Sequence, residues 1–198
     1  MVRPLLGGIA FLVGLTLAVP SALEAASDPV TTPAEDTTNE ASPLAEATEH
    51  RLRGRYDEAL EACEKLLAQQ ELPEADRISL WIGQSRIYEE TGRWEEAEEV
   101  ITTALTSQPK SAALLARRGE LCLLRGRYAE ARKNAEAGIA QDSQHVHSRL
   151  VLANALAEMG ELDEAAKAYR WFVMYYNRSV PREAETLVWV GEGAAQYA

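Results

Sequence analysis

Apolar side chains recur along this chain at the spacing of a helix face, not at the alternation of a strand. Trp94, Ala97, Ile101 and Ala104 stand three or four residues apart, which stacks them on one side of a helix with 3.6 residues per turn. Trp81, Ser85 and Tyr88 do the same just upstream. The pattern breaks at Gly92, which can take positive φ, and at Pro109, which cannot continue a helix. The stretch from Trp81 to Pro109 therefore predicts two helices joined by a turn. The residues around that turn recur. Gly92-Arg-Trp94-Glu-Glu-Ala97 has copies at Gly54-Arg-Tyr56-Asp-Glu-Ala59 and Gly126-Arg-Tyr128-Ala-Glu-Ala131, and a looser one at Gly160-Glu-Leu162-Asp-Glu-Ala165. From Gly92 to Gly126 and from Gly126 to Gly160 the step is 34 residues. Neither helix of such a unit can bury its stripe alone, so the pair must be antiparallel and must stack on the next pair.

A fixed step of this size, with these residues, resembles the tetratricopeptide (TPR) repeat. The resemblance implies an all-α fold: an α-solenoid of antiparallel helix pairs, with about four units at 43–75, 78–111, 112–145 and 146–179 and a final helix over 181–198. The second unit follows the family pattern most fully, except that Ser85 stands where glycine is usual. The third keeps Leu115, Gly119, Gly126, Tyr128 and Ala131 but departs at Cys122, Ala135, Gly138 and Ser143. The fourth keeps Leu152, Ala153, Gly160, Ala165 and Tyr169. It departs at Arg149, where a bulky apolar residue is usual, and at Asn177, where proline is. In the first unit Ser42 reads as an N-cap and Pro43 as the first helical residue, and the short polar helix that follows suits an end cap. The spacing from Pro73 to Trp81 repeats from Pro181 to Trp189. The final helix thus reads as the first helix of a fifth unit.

Charge and composition add the setting. A net charge of −11 and a pI near 4.8 repel nucleic acid and anionic membrane surfaces. Residues 1–25 read as a secretory signal peptide: Arg3, the uncharged apolar run Leu5 to Val19, then Pro20 and the small residues Ser21, Ala22 and Ala25. The uncharged stretch runs on to Leu23, close to the ~20 residues of a membrane span, so an uncleaved anchor is the alternative. Residues 26–42 are rich in Pro, Thr and acidic groups and read as a disordered linker. The expected location is outside the cytoplasm, in the periplasm or cell envelope or secreted, membrane-anchored only if the leader stays. No membrane insertion is expected after cleavage. Cys63 and Cys122 fall on helices of non-adjacent units. Helix layers ~8–10 Å apart hold them beyond the ~7 Å reach of a disulfide, so both are expected to be reduced and buried.

No residue set points to catalysis. His145 and His147 lie near Asp142, but residues two apart on a helix do not share a face. They read as solvated histidines in the loop that opens the fourth unit, and neither metal nor cofactor is implied. Gly191-Glu-Gly193 lacks the strand and the third glycine of a dinucleotide loop and reads as a point of close helix packing. Arg53, Arg55, Arg93, Arg125 and Arg127 flank the turns, followed by Asp57, Glu58, Glu95, Glu96 and Glu130. This order complements helix dipoles; a basic binding ridge is the alternative.

In TPR proteins the first helices line a concave groove that receives a partner. Carried over position by position, the resemblance puts Ile82, Arg86, Glu89, Ala113, Arg117, Glu120, His147, Leu150 and Asn154 in that groove. It implies an exported, non-catalytic scaffold that binds a protein or peptide. Two alternatives stay open: the helical N-terminal module of a larger exported enzyme or envelope assembly, and a self-associating structural subunit. The second rests on the C-terminal end. Tyr169, Trp171, Phe172, Tyr175 and Tyr176 crowd one helix, more than one face buries, and Trp189 and Tyr197 follow. Trp171, Tyr175, Tyr176 and Trp189 are the expected interface there.

Overall fold

In a computed structural model of the chain, which describes residues 43–179, 181 and 183–197, nine helices follow one another with no strand among the described residues. The leader at 1–25, the linker at 26–42 and the cap at Ser42 lie outside that range. The helices are α1 (Pro43–Leu52), α2 (Tyr56–Leu67), α3 (Glu74–Glu90), α4 (Trp94–Ser107), α5 (Ala112–Leu124), α6 (Tyr128–Gln141), α7 (Val146–Glu158), α8 (Leu162–Ser179) and α9 (Ala184–Tyr197). The all-α solenoid expected from the repeat is what is found.

The four Gly turns close identically. Gly54, Gly92, Gly126 and Gly160 have φ of 72°, 75°, 71° and 78°. At Gly126 the glycine N–H donates to Leu123 O at 2.9 Å and the Arg127 N–H reaches back to Cys122 O at 2.8 Å. That pair of bonds is a Schellman motif, which satisfies the last carbonyls of one helix before the next begins. The carbonyl of Arg127 then accepts from the N–H of Ala131, and Ala131 has no exposed surface. Ala59, Ala97 and Ala165 hold the same place in their units and are buried in turn. The recurring motif is thus a turn that needs glycine, followed one helical turn later by a contact that needs alanine.

Burial is serial, as a solenoid requires. One apolar cluster joins α1, α2 and α3 through Ala47, Cys63, Leu66 and Leu80. Another joins α4 and α5 through Ala97, Ile101, Leu114 and Leu121. A third, small in volume, holds Cys122, Ala131, Ala135, Val151 and Ala155. The last joins α7, α8 and α9 around Leu150, Tyr169, Phe172 and Val190. Cys63 and Cys122 sit in different clusters, both buried and both free. Together these clusters make the described residues one compact unit.

Departures from the family pattern have local partners. Gly138 lies so close to Ser148 that an added Cβ would clash with its Oγ. Arg149 lies over the Trp171 ring at 4.4 Å and donates twice to Ser143 O. Without proline at Asn177, α8 runs on to Ser179. Phe172 then stands where Gly138 stands one unit earlier, and Gly193 gives way to it: a Cβ there would meet the Phe172 ring at 2.5 Å. Gly193 is therefore the close-packing point expected of Gly191-Glu-Gly193, whereas Gly191 faces open space.

The turn arginines do more than complement dipoles. Arg125 and Arg127 both reach Glu98 of the preceding unit, at 3.1 and 2.5 Å, and Arg132 reaches Glu161 of the following one at 3.1 Å. Arg51 pairs with Glu90 across units in the same way. This edge is a run of ion pairs between neighbouring units, which leaves few free cations for a ridge.

A Cβ at Gly126 meets nothing within 4 Å, so the whole cost of replacing it is backbone strain. Gly126→Val should cost ~1–3 kcal/mol. Gly83, in mid-helix with negative φ and equally open space, should gain up to ~1 kcal/mol as Gly83→Ala. Thermal unfolding of the two variants checks both; equal melting temperatures would show that the turn is not held by its φ.

Candidate functional site

The first helices of the units, α1, α3, α5 and α7, share one side of the solenoid with α9, which packs on both α7 and α8. Across this side runs a ladder of polar and aromatic groups centred on Arg117, which is 1% exposed. Its Nε donates to Ser85 Oγ at 3.1 Å, one Nη to Glu89 at 2.5 Å and the other to Glu120 at 2.7 Å. Glu120 also faces His147 Nε2 at 3.5 Å. The His147 ring lies flat on Trp189 of α9, centroids 4.5 Å apart and planes within 8°. One turn earlier on α9, Glu185 accepts from Arg86 Nη2 at 2.6 Å. Four helices are thereby tied together through polar contacts, and Ser85 supplies the hydroxyl that a glycine could not.

The ladder divides the face into two cavities. The first, about 350 Å³, is lined by Leu44, Ile78, Ile82 and Ala113, by Arg51, Arg86, His145 and His147, and by Glu185 and Trp189 of α9. The second, about 450 Å³, is lined by Glu120, Glu158 and Glu192 together with Tyr128, Asn154, Tyr169 and Gln196, and no lysine or arginine is among its described lining residues. Here the Tyr169 hydroxyl donates to Asn154 Oδ1 at 2.7 Å. Burial first, then the charges of Glu192 and Glu158, push its pKa up. The Tyr128 pKa is raised by its hydrogen bond to Glu158. One cavity is apolar, with its two arginines paired to Glu90 and Glu185 at the rim; the other is acidic with phenols. Among the described residues, no three His, Cys, Asp or Glu side chains gather closely enough to hold a metal ion.

The expected groove residues thus separate. Ile82, Arg86 and Ala113 line the first cavity, and Glu120 and Asn154 the second. Arg117 is not a groove cation: it is buried and fully engaged by Ser85, Glu89 and Glu120, and Glu89 is its half-buried counter-ion. Leu150 is core. The histidines are not solvated. His145 caps α7, accepting from the Ser148 N–H at 3.2 Å, and His147 is 5% exposed beneath Trp189. At the C-terminal end Trp171 and Tyr175 stack on each other at 4.7 Å and, with Trp189, pack half-buried against the last core cluster. Of the expected interface only Tyr176 stays exposed. Sequence reasoning missed Tyr128, Glu158, Glu185 and Glu192 as cavity residues. For Glu185 the signal was present, since it lies one turn before Trp189, whose match to Trp81 places it on a first helix.

Comparison with known proteins places this geometry. A family model described as tetratricopeptide repeat matches residues 50–118 and 123–170, and a second model of that description matches 112–133. No curated protein matches the chain. Among solved structures, a tetratricopeptide repeat protein from Parabacteroides merdae ATCC 43184 is similar at 21% identity and a TM-score of 0.58, over 82% of this chain and 59% of that one. The present chain thus spans little more than half of that protein's length. A thermophilic TPR protein of Thermus thermophilus gives 21% identity and 0.58, over 77% of this chain and 80% of its own. The MamA protein gives 19% and 0.53, over 78% and 82%. At these identities the likeness is one of fold.

Burial would raise the Glu120 pKa, but His147 and the Arg117 guanidinium outweigh it and hold the carboxyl at about 2, against an ordinary 4.5. A depressed carboxylate stabilises the fold above its unfolded pKa, and that stability is lost as pH falls through the folded value. Glu120→Gln should therefore cost ~1–3 kcal/mol at pH 7, and its deficit should close between pH 4.5 and about 2. Denaturant midpoints measured against pH check this; parallel curves for variant and parent would count against it.

Proposed function

Because the chain belongs to the tetratricopeptide repeat family, we propose that it is an exported scaffold that holds a segment of a partner protein along its concave face, with no catalytic step of its own. The observation that carries this reading is the pair of cavities of opposite character on one face, divided by the Arg117 ladder. Cavities of different character select a polarised ligand. An apolar side chain suits the cavity of Ile82 and Ala113; a lysine or arginine suits that of Glu158 and Glu192. The overall charge of −11 argues against nucleic acid as the ligand. Export is supported by Arg3, the apolar run from Leu5 to Val19 and the small residues after Pro20.

Short peptides bearing a large apolar and a basic residue at varied spacing, titrated against intrinsic tryptophan fluorescence, test the groove. At least one spacing should bind. Ile82→Asp, or Glu158→Lys with Glu192→Lys, should weaken that binding tenfold or more, about 1.4 kcal/mol, at unchanged helicity. Arg93→Glu with Arg127→Glu, on the turn edge, should weaken it far less. The reverse ranking would move the site to the edge. Expressed with its own leader, the chain should be recovered from the envelope fraction shortened by residues 1–25; recovery at full length in the cytoplasm would reject export.

A further inference from the structure

Helix α3 borders a further cavity on the side turned away from the groove. Ile82 and Arg86 line the first groove cavity; Gln84, two residues from each, lies about 200° round the helix. With Trp81 and Tyr88 it forms one wall of a cleft of about 350 Å³, and Glu96, Glu99 and Thr103 of α4 stand on the other wall. Trp81 and Tyr88 also rest against the core cluster beneath. Gln84 is only 6% exposed, and among the described residues its carboxamide has no hydrogen-bond partner. The repeat gives the reason. One unit later the matching residue is Arg118, whose Nε donates to Asn134 Oδ1 at 2.6 Å. Asn134 stands 34 residues after Val100, so the second unit has an apolar residue where the third has an acceptor. The third unit thus carries its own guanidinium at this place. The second leaves the space open above a buried amide, which needs a partner from elsewhere.

The end of the cleft nearest the Gly92 turn shows what its walls accept. There the Arg93 guanidinium lies 4.5 Å over the Tyr88 ring and its Nε donates to Glu96 at 2.9 Å. Away from the turn, Trp81 follows Tyr88 along the same face of α3, and Glu99 follows Glu96 along the same face of α4. The pairing of a ring with a carboxylate therefore recurs one step further in. Here the cation is missing: Glu99 is exposed and is in no ion pair among the described residues.

We propose that this cleft binds the guanidinium of an arginine side chain presented by a partner protein. Its plane lies on the Trp81 ring, one edge donates to the Glu99 carboxylate and another to the Gln84 carboxamide oxygen. A guanidinium is planar and holds five N–H donors in a fixed fork, which suits a ring, a carboxylate and an amide around one space. An ammonium is a point charge that keeps its water. Free arginine is disfavoured, because its own carboxylate would face Glu96 and Glu99. The cleft and the groove stand on opposite sides of α3, so either reading can fail without the other.

NMR titration of the whole chain tests the proposal, read at the Gln84 side-chain amide and the Trp81 indole N–H. The probes are the capped peptide Gly-Gly-Arg-Gly-Gly, its lysine counterpart and free arginine. The arginine peptide should shift both signals saturably, and more tightly than either of the other two. Glu99→Lys, at an exposed position, and Trp81→Leu should each weaken that binding at least tenfold. Gln84→Leu should weaken it while raising the melting temperature, because an unpartnered amide gives way to an apolar group of similar size; a Gln84 with only a structural role would lose stability on that change. Ile82→Asp, which tests the groove, should leave this binding as it is. Signals that do not move, a lysine peptide that binds as well, free arginine that binds more tightly, or a Glu99→Lys protein that binds like the parent would each overturn the proposal.

Discussion

A guanidinium with 1% of its surface exposed is the constraint on which the concave face depends. Taking a cation out of water costs several kcal/mol unless it is paired and hydrogen-bonded. Each of the three Arg117 nitrogens has a partner: Ser85 and Glu89 from α3, Glu120 from its own helix. Glu120 in turn fixes His147 on α7, and His147 provides the flat surface on which Trp189 of α9 lies. Apolar stripes between units would tolerate a sliding contact. A buried charge does not, because a shift of an ångström leaves a donor unpaired. The ladder therefore sets the register of units two to five, and with it the spacing of the two cavities on either side of it.

The back of the solenoid is held by other means. Glycine with positive φ shapes each turn, alanine one turn later lets the helices approach, and arginines at the turns tie each unit to its neighbour through Glu90, Glu98 and Glu161. These exposed pairs contribute little singly. As a row they repeat the same link along one edge, which suits an architecture whose stability is a sum over neighbours.

What could be read in the sequence follows from this division. The turns were legible because each is written in six adjacent residues and recurs at a fixed step. So was the separation of Cys63 from Cys122, which needs only the order of the helices. The concave face was legible in position but not in state. The 34-residue step places Arg117 and His147 on the inner side, yet whether a side chain there is open or covered depends on its partner from another unit. Arg117 is covered by Ser85 and Glu89, 32 and 28 residues away, and His147 by Trp189. Pairs at such distances leave no local pattern. The aromatic crowding of α8 is partly relieved in the same way: Arg149, a departure from the family pattern, lies over Trp171.

Helix α9 presents two different faces. Glu185 and Trp189, four residues apart, share the side that closes the groove. Leu187, two residues from each, is turned by about 200° and joins Gly191 and Ala194 on the far side, where α8 and α9 leave a trough with Val173, Tyr176 and Asn177 on its other wall. The helix is held to the rest through Phe172 against Gly193 and through Val190 in the last core cluster. Its N-terminal turn is tied to α3 by the ion pair of Glu185 with Arg86, both partly exposed. A shift of α9 on one face therefore moves the other face with it. The groove and the trough are two sides of one short helix.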